Sequence, residues 1–544
     1  MEEKWWQSSV VYQIYPKSFF DSNNDGIGDL QGIISKLDYI KKLGADVIWL
    51  NPIYQSPNID NGYDISDYQA INPEYGTMND IKELIQKCRQ MGIKIILDLV
   101  VNHTSDQHRW FKEAIKSRDN PYHDYYIWRD KPNDLKSNFG GSAWEYIRSV
   151  DQYYLHFYAK QQPDLNWENK KMRQDIYKMM NFWINEGISG FRMDVIDLIG
   201  KVPDEYIKEN GPKLHEYLQE MARCTFGDKD LLTVGETWGA TIENAQLYSD
   251  PSRKELSMIF QFEQINLDKI KGLQRWDLKE LNLIELKDVL SKWQIELDEK
   301  GWNSLFWNNH DLPRIVSRWG NDSEKYRQLS AKMLAILLHG MKGTPYIYQG
   351  EEIGMTNLYS NDFSDYPDIE TQQIIKERLK KGFSKEDVLK SIQKKARDNG
   401  RTPMQWNNQK NAGFSKEKPW MKVNPNYLDI NVENCLKDDN SVFYTYQKLI
   451  QLRKNNQVIR HGHYKLLNRE DSNIFSYKRI LNDQEVIVIC NFYENEIDYH
   501  LELNNFDILI SNYSNLQYQS NHLHLRPYEA MILQINNKIQ QGEK

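Results

Sequence analysis

Apolar positions along this chain follow two alternating rhythms. Short β-branched and aromatic runs recur with little polar alternation: VVYQIY (10–15), DVIWL (46–50), IKIILDLVV (93–101), SGFRMDV (189–195), LLTVGE (231–236), SMIF (257–260), NSLFWN (303–308) and TPYIYQG (344–350). Such runs predict parallel strands buried on both faces. Between them apolar residues fall at helical spacing. Ile81, Leu84, Ile85, Cys88 and Met91 follow two candidate N-caps, Thr77 and Asn79, and Ile176, Met180, Trp183 and Ile184 precede Gly187, which predicts a helix end. Eight strands separated by helices predict an α/β chain, and the count favours a (β/α)₈ TIM barrel over a doubly wound sheet.

The alternation breaks between about 103 and 170, a stretch rich in Asp, Asn, Tyr, Trp and Gly directly after the third strand. A loop of that length in a compact protein is usually functional, so an inserted subdomain over the barrel mouth is expected. Residues 355–400 are polar and helical and predict a second excursion near the mouth. After about 462 the pattern turns to short alternating strands (NIFSYKRI, EVIVICNFY, AMILQI), which predict a C-terminal antiparallel β-sandwich. The expected division is a barrel over 1–102 and 171–461, the insert over 103–170 and the sandwich over 462–544.

Composition changes this picture in three places. Aromatics reach 12%, with 33 Tyr and 16 Trp. Most must be core, but the apolar face of a pyranose stacks on such rings, so a sugar-binding cleft is one reading. The net charge of −8 spread over 544 residues argues against nucleic acid or anionic lipid as partner. Four scattered cysteines without a C-x-x-C pair read as reduced, mostly buried thiols, and neither a signal peptide nor a long apolar run is visible. A cytoplasmic monomer without membrane contact or organic cofactor is the resulting expectation.

Barrel enzymes carry their reacting groups at the C-terminal ends of the strands. Here the third strand ends in Asp98, Asn102 and His103, the fourth in Arg192 and Asp194, the fifth in Glu236, and the seventh in Asn309, His310 and Asp311. Each alone has a plain alternative: a strand-end Asp caps a helix, a lone His is structural. Together they fit glycosidic bond cleavage, which needs a protonated carboxyl for the leaving oxygen and a second carboxylate to attack the anomeric carbon. Arg192 beside Asp194 would keep that carboxylate ionised, whereas Glu236 needs a partly desolvated, acidic setting.

DLVVNH (98–103), GFRMD (190–194), VGE (234–236) and NNHD (308–311) resemble the four signature segments of glycoside hydrolase family 13, the α-amylase family. QPDLNW (162–167) resembles its fifth segment, and the likeness extends from WWQSSVVYQIYPKSF to ARDNGRTPMQW (396–406) and beyond. The resemblance implies Asp194 as nucleophile, Glu236 as acid/base and Asp311 as transition-state stabiliser. It places Asp60, Tyr63, His103, Arg192, His310 and Arg397 around the −1 sugar. Within the family, NGYDISDY, VGETWGAT and FQFEQI resemble the glucan 1,6-α-glucosidase (dextran glucosidase) and oligo-1,6-glucosidase branches. There Val195 after the nucleophile accompanies α-1,6 specificity, and Trp238, Arg275 and Glu370 align with +1 contacts; Arg275 departs from the usual Lys. The implied activity is a retaining, exo-acting α-1,6-glucosidase releasing glucose from isomaltooligosaccharides or dextran. Trehalose-6-phosphate hydrolase, a transglycosylating sucrose isomerase, and a catalytically dead transporter heavy chain are the alternatives. The last would lack the three acids and carry a membrane anchor.

DSNNDGIGD (21–29) sets Asp21, Asn23 and Asp25 at alternate positions, with Gly26 for the turn, Ile27 offering a carbonyl and Asp29 closing the loop. This is the opening of an EF-hand-like loop without its distal Glu, and it predicts a structural Ca²⁺; a metal-free Asx-turn loop is the alternative.

Overall fold

The computed structural model describes residues 3–503 and 505–536. Its eight central strands are β1 (Val11–Ile14), β2 (Val47–Leu50), β3 (Lys94–Leu99), β4 (Gly190–Met193), β5 (Leu232–Glu236), β6 (Met258–Phe260), β7 (Ser304–Leu305) and β8 (Thr344–Tyr348). All neighbours pair in parallel in the order β6-β5-β4-β3-β2-β1-β8-β7. A single parallel bridge, Ile259 to Asn303, joins the two ends into the barrel. Seven of the eight expected strands form over most of their span. NSLFWN contributes only two residues, because Phe306 and Trp307 turn into two different apolar clusters and leave the ladder.

The helices sit where their apolar spacing placed them. Met78–Gln90 is capped by Thr77, whose side chain and Asp80 form a capping box; Asn79, the other candidate, lies inside the helix. Ile81, Leu84, Ile85 and Cys88 form its buried face. Lys170–Glu186 ends at Gly187, which takes the left-handed conformation (φ 103°).

Between β3 and the helix at Lys170 the chain builds a three-stranded antiparallel sheet (Trp128–Arg129, Gln152–Leu155, Trp144–Ile147) around Leu135, Trp144 and Phe157. Isolated bridges from His103 to Asp164 and from Tyr126 to Leu165 tie it down at the barrel mouth. The C-terminal part is a sandwich of a five-stranded and a three-stranded antiparallel sheet, with Ile474, Ile487, Tyr499, Leu523 and Leu533 between them. No described helix is long and apolar enough to cross a membrane. The expectation of mostly buried thiols holds only for Cys88 and Cys490; Cys435 is half-buried and Cys224 exposed.

Candidate active site

Parallel pairing fixes the site. Val234 and Gly235 of β5 sit opposite Arg192 and Met193 of β4, so Glu236, the last residue of β5, and Asp194, the first after β4, emerge side by side. One guanidinium binds both. Arg192 Nη1 donates to Asp194 Oδ1 (2.8 Å) and to Asp98 Oδ1 (2.5 Å), and Nη2 donates to Glu236 Oε2 (2.5 Å). Asp98 is fully buried and also accepts from Trp49 Nε1 (3.0 Å) and the Tyr63 hydroxyl (3.0 Å), so it is the anchor that orients Arg192.

Three carboxylates thus share one cation, which is not the simple pair the sequence suggests. Burial pushes Asp194 well above the usual carboxylate range; Arg192 opposes this, and Glu236, Asp98 and Asp311 push with burial. Arg192 therefore offsets only part of the cost of ionising Asp194. Burial likewise takes Asp98 up to about 6 against the pull of Arg192.

Glu236 is buried, but its setting is donor-rich rather than acidic alone. Oε2 accepts from Arg192 Nη2 and from the Val195 backbone N–H (3.1 Å), and Oε1 accepts from Trp238 Nε1 (2.9 Å). Val195 reaches this position with φ 36° and ψ 46°, a left-handed conformation that a β-branched residue rarely adopts. The strained peptide is what turns its N–H toward Glu236.

Asp311 is held from the opposite side. Arg401 Nη2 (2.8 Å) and Arg397 Nη1 (3.2 Å) donate to its Oδ1, and His310 Nε2 lies 3.1 Å from Oδ2. Burial pushes the Asp311 carboxyl up, but His310, Arg397 and Arg401 outweigh it and hold it well below the usual range. Gln13 Nε2 donates to Asn51 Oδ1 and approaches His310 Nδ1 (2.9 Å), which leaves the proton of the imidazole on Nε2, facing Asp311. Burial pushes both His310 and His103 below the usual imidazole range, the latter to about 4.

Asp194, Glu236 and Asp311 line one pocket together with Asp60, Tyr63, His103, Val195, Trp238, Arg275, Glu370 and Arg397. Of the expected sugar contacts, Arg192 and His310 stand behind this wall and act through Asp194, Glu236 and Asp311. Tyr63 stacks on His310 (5.2 Å between centroids, 7° between planes). Arg397 Nη2 bonds Asp60 (3.0 Å), which links the β2 loop to the chain after residue 396 across the pocket lining. Trp238 is 39% exposed and stacks on Phe262 (3.9 Å, 10°), while Arg275 pairs with Glu370 (2.9 Å), which also lies 3.7 Å from Arg397.

Several lining or supporting groups escaped sequence reasoning. Asn138, Phe139 and Tyr158 come from the insert, and Asp197, Leu198 and Glu209 from the segment after β4. Asp368 bonds both Arg397 (2.8 Å) and Arg401 (2.7 Å) and so sets the pair that holds Asp311. Arg401 had a signal, since it follows Arg397 at one helical turn in ARDNGR; Asp368, about thirty residues away, had none.

The loop at 21–29 folds on its own hydrogen bonds. Asp21 accepts the N–H groups of Asn24 (2.7 Å) and Gly26 (2.8 Å), and Asn23 and Asp25 bond each other. Asp29 caps the helix Leu30–Ser35 and holds Ser22, and Ile27 donates to Asp25. Among the described residues, no three His, Cys, Asp or Glu side chains converge as a metal site.

Comparison with known proteins agrees with the geometry. Residues 13–462 match the family model for the α-amylase catalytic domain, and residues 474–532 match the C-terminal domain of the α-amylase SusG. A glucan 1,6-α-glucosidase of Streptococcus pneumoniae is 57% identical over 537 residues, covering 98% of this chain and 100% of the relative. An oligo-1,6-glucosidase of Parageobacillus thermoglucosidasius is 52% identical over 561 residues, covering 98% and 100%. The solved trehalose-6-phosphate hydrolase of Bacillus licheniformis superposes with a TM-score of 0.94 at 46% identity, covering 98% of this chain and 100% of that one. With its barrel, its three strand-end acids and a family match spanning most of its length, this chain belongs to the α-amylase family of glycoside hydrolases.

Proposed function

We propose that this protein is a retaining, exo-acting α-glucosidase that cleaves α-1,6 linkages at the non-reducing ends of isomaltooligosaccharides or dextran and releases α-glucose. The observation that carries this reading is the pair of carboxylates on one guanidinium: Asp194 and Glu236 both bond Arg192, which keeps them close together, and a double displacement needs its two carboxylates close. Glu236 gives its proton to the glycosidic oxygen as the bond to the anomeric carbon breaks, and Asp194 attacks that carbon from the other face. In the second half Glu236 takes a proton from water, whose oxygen displaces Asp194 and restores the free carboxylate. Asp311, kept ionised by its two arginines, stabilises the cationic character of the ring in both steps.

The Asp60–Arg397 pair supports exo action, because it joins two segments across the pocket that holds the terminal sugar. The linkage is supported by Val195 and by the 1,6-glucosidase activities for which the relatives at 52–57% identity are named. Against a phosphorylated substrate stands the charge of the lining. Glu209 lines the pocket, and Arg275 in the same lining is already paired with Glu370. The test is a side-by-side rate comparison on isomaltose, longer isomaltooligosaccharides, dextran, maltose, sucrose and trehalose 6-phosphate, with NMR of the first-formed anomer. Isomaltosides are expected to lead, with α-glucose first, and Asp194→Asn should abolish every rate. Appearance of β-glucose, or preference for trehalose 6-phosphate, overturns the reading; sucrose isomers as main products favour an isomerase.

For the 21–29 loop we propose a structural Ca²⁺ held by Asp21, Asn23, Asp25, the Ile27 carbonyl and Asp29. Five oxygen donors within nine residues support it, as does the tight turn at Gly26 (φ 91°), where an added Cβ would lie 2.2 Å from the Lys418 carbonyl. Chelation followed by Ca²⁺ titration should lower and then restore the melting temperature without changing the rate per folded molecule.

A further inference from the structure

Asp197 is a buried carboxylate that the mechanism above does not use. It sits in the single 3-10 turn Ile196–Leu198 after Asp194 and is 1% exposed. Its Oδ2 accepts the backbone N–H of Gly239 (2.8 Å), and its Oδ1 has no hydrogen-bond partner. Burying a carboxylate to hold one amide is expensive, and the fold adds to that investment. The Asp197 carbonyl accepts the Asn210 N–H (2.9 Å), and the Asn210 side chain donates to the Gly239 carbonyl (2.8 Å). Asp197, Gly239 and Asn210 therefore form a closed ring that fixes both polar groups of one peptide strap. A Cβ at Gly239 would lie 2.4 Å from Glu209 Oε2 and 2.8 Å from Asn210 Nδ2, so it would displace the amide that holds the Gly239 carbonyl.

The residue before that glycine is Trp238, whose indole N–H bonds Glu236 Oε1. Glu236 Oε2 already takes two donors, Arg192 and the Val195 amide, so the transferable proton belongs on Oε1. Trp238 is consequently the group that fixes the direction of that oxygen; its ring plane is set by stacking on Phe262, and its backbone runs directly into the strap.

We propose that Asp197 is a positioning residue for the acid step: by clamping Gly239 it holds Trp238, and through it Glu236 Oε1, on the line to the glycosidic oxygen. The proposal rests on the reading of Glu236 as the acid. It predicts a leaving-group signature. A sugar leaving group needs the proton, whereas 4-nitrophenolate leaves without it, so loss of aim should cost one substrate and spare the other.

The experiment compares kcat/KM, which reports the bond-breaking half-reaction, on isomaltose and on 4-nitrophenyl α-glucoside. Asp197→Ala should lower it about 10- to 100-fold on isomaltose and by less than about 3-fold on the aryl glucoside. It should also shift the basic limb of the isomaltose pH profile. Asp197→Asn keeps an oxygen for the Gly239 amide and should return isomaltose hydrolysis to within about 3-fold of the parent. Gly239→Ala pushes the strap from the other side and should reproduce the selective loss, which covers the case in which Asp197→Ala does not fold. In a Trp238→Phe background, Asp197→Ala should add little, since the bond it protects is already gone. Equal losses on both substrates, or no loss on either, overturn the proposal. Glu236→Gln separates the two claims: if it shows the leaving-group signature and the Asp197 and Gly239 variants do not, only the role of Asp197 fails, and if it shows none, the assignment of the acid fails first.

Discussion

Asp60 shows how a single side chain is tuned by where the chain folds it. Its carboxyl bonds Arg397 and accepts from Gln162 of the insert (3.2 Å), and it is almost fully buried. Burial takes it up to about 6; Arg397 opposes, and Asp368 and Asp311 reinforce the rise. The folded protein thus binds this proton more tightly than the unfolded chain does, where an aspartate titrates at its ordinary 3.8. Asp60 therefore costs stability progressively as pH rises from about 4 to about 6. The melting temperature of Asp60→Asn relative to the parent should climb across that window and level off above it; a flat difference would show that Arg397 fully offsets the burial. None of this tuning was legible in NIDNGY. The sequence supplied the identity of Asp60 and its alignment with a sugar contact, but its surroundings come from residues 162, 368 and 397. The same holds for Arg192: a neighbour for Asp194 was foreseeable at two residues' distance, yet its division among Asp98, Asp194 and Glu236 depends on three strands meeting.

At the scale of elements, legibility follows burial. Strands wrapped by helices must be apolar on both faces, so their positions stood out; the segments that leave the ladder early did not. Phe306 and Trp307 are more apolar than Ser304 and Leu305 of β7 before them, but they exit to bring Asn308 through Asp311 onto the rim. The pairing of β4 with β5 carries the most weight, because one register step would separate Asp194 from Glu236. Gly190 secures it. It holds φ 151° opposite Leu232, and a Cβ there would lie 1.8 Å from the Leu232 carbonyl, an overlap with backbone that no rotamer relieves. Gly190→Ala should cost about 3 kcal/mol or more, seen as a lowered melting temperature, and the folded remainder should lose activity on isomaltose and aryl glucoside alike. That shared loss is the opposite of the signature expected at Asp197, so the two variants distinguish a register fault from a misdirected acid.

At the scale of the molecule, the question is whether the C-terminal sandwich is an appendage or part of the barrel's fold. Its five-stranded sheet has two apolar faces. One meets the small sheet, and the other, with Phe475, Tyr477, Val486, Val488 and Ile532, continues the same core cluster as the barrel's outer helices. The fit against helix Arg327–His339 is tight: Tyr477 donates to the Leu337 carbonyl (2.7 Å), and a Cβ on Gly340 would lie 2.4 Å from that hydroxyl. Lys287, buried in a barrel helix, donates to the carbonyls of Asn468 (3.0 Å) and Asp471 (2.6 Å). An interface that is apolar and shares buried polar groups does not behave as a hinge between independent domains. Calorimetry of the full chain should therefore give one unfolding transition rather than two. A chain ending at residue 461 would expose Leu337 and its neighbours and leave the Lys287 ammonium without its carbonyls. It should aggregate or melt at a much lower temperature even though every residue of the candidate site is still present. A stable, active truncated barrel would show instead that the sandwich only covers a surface the barrel can expose.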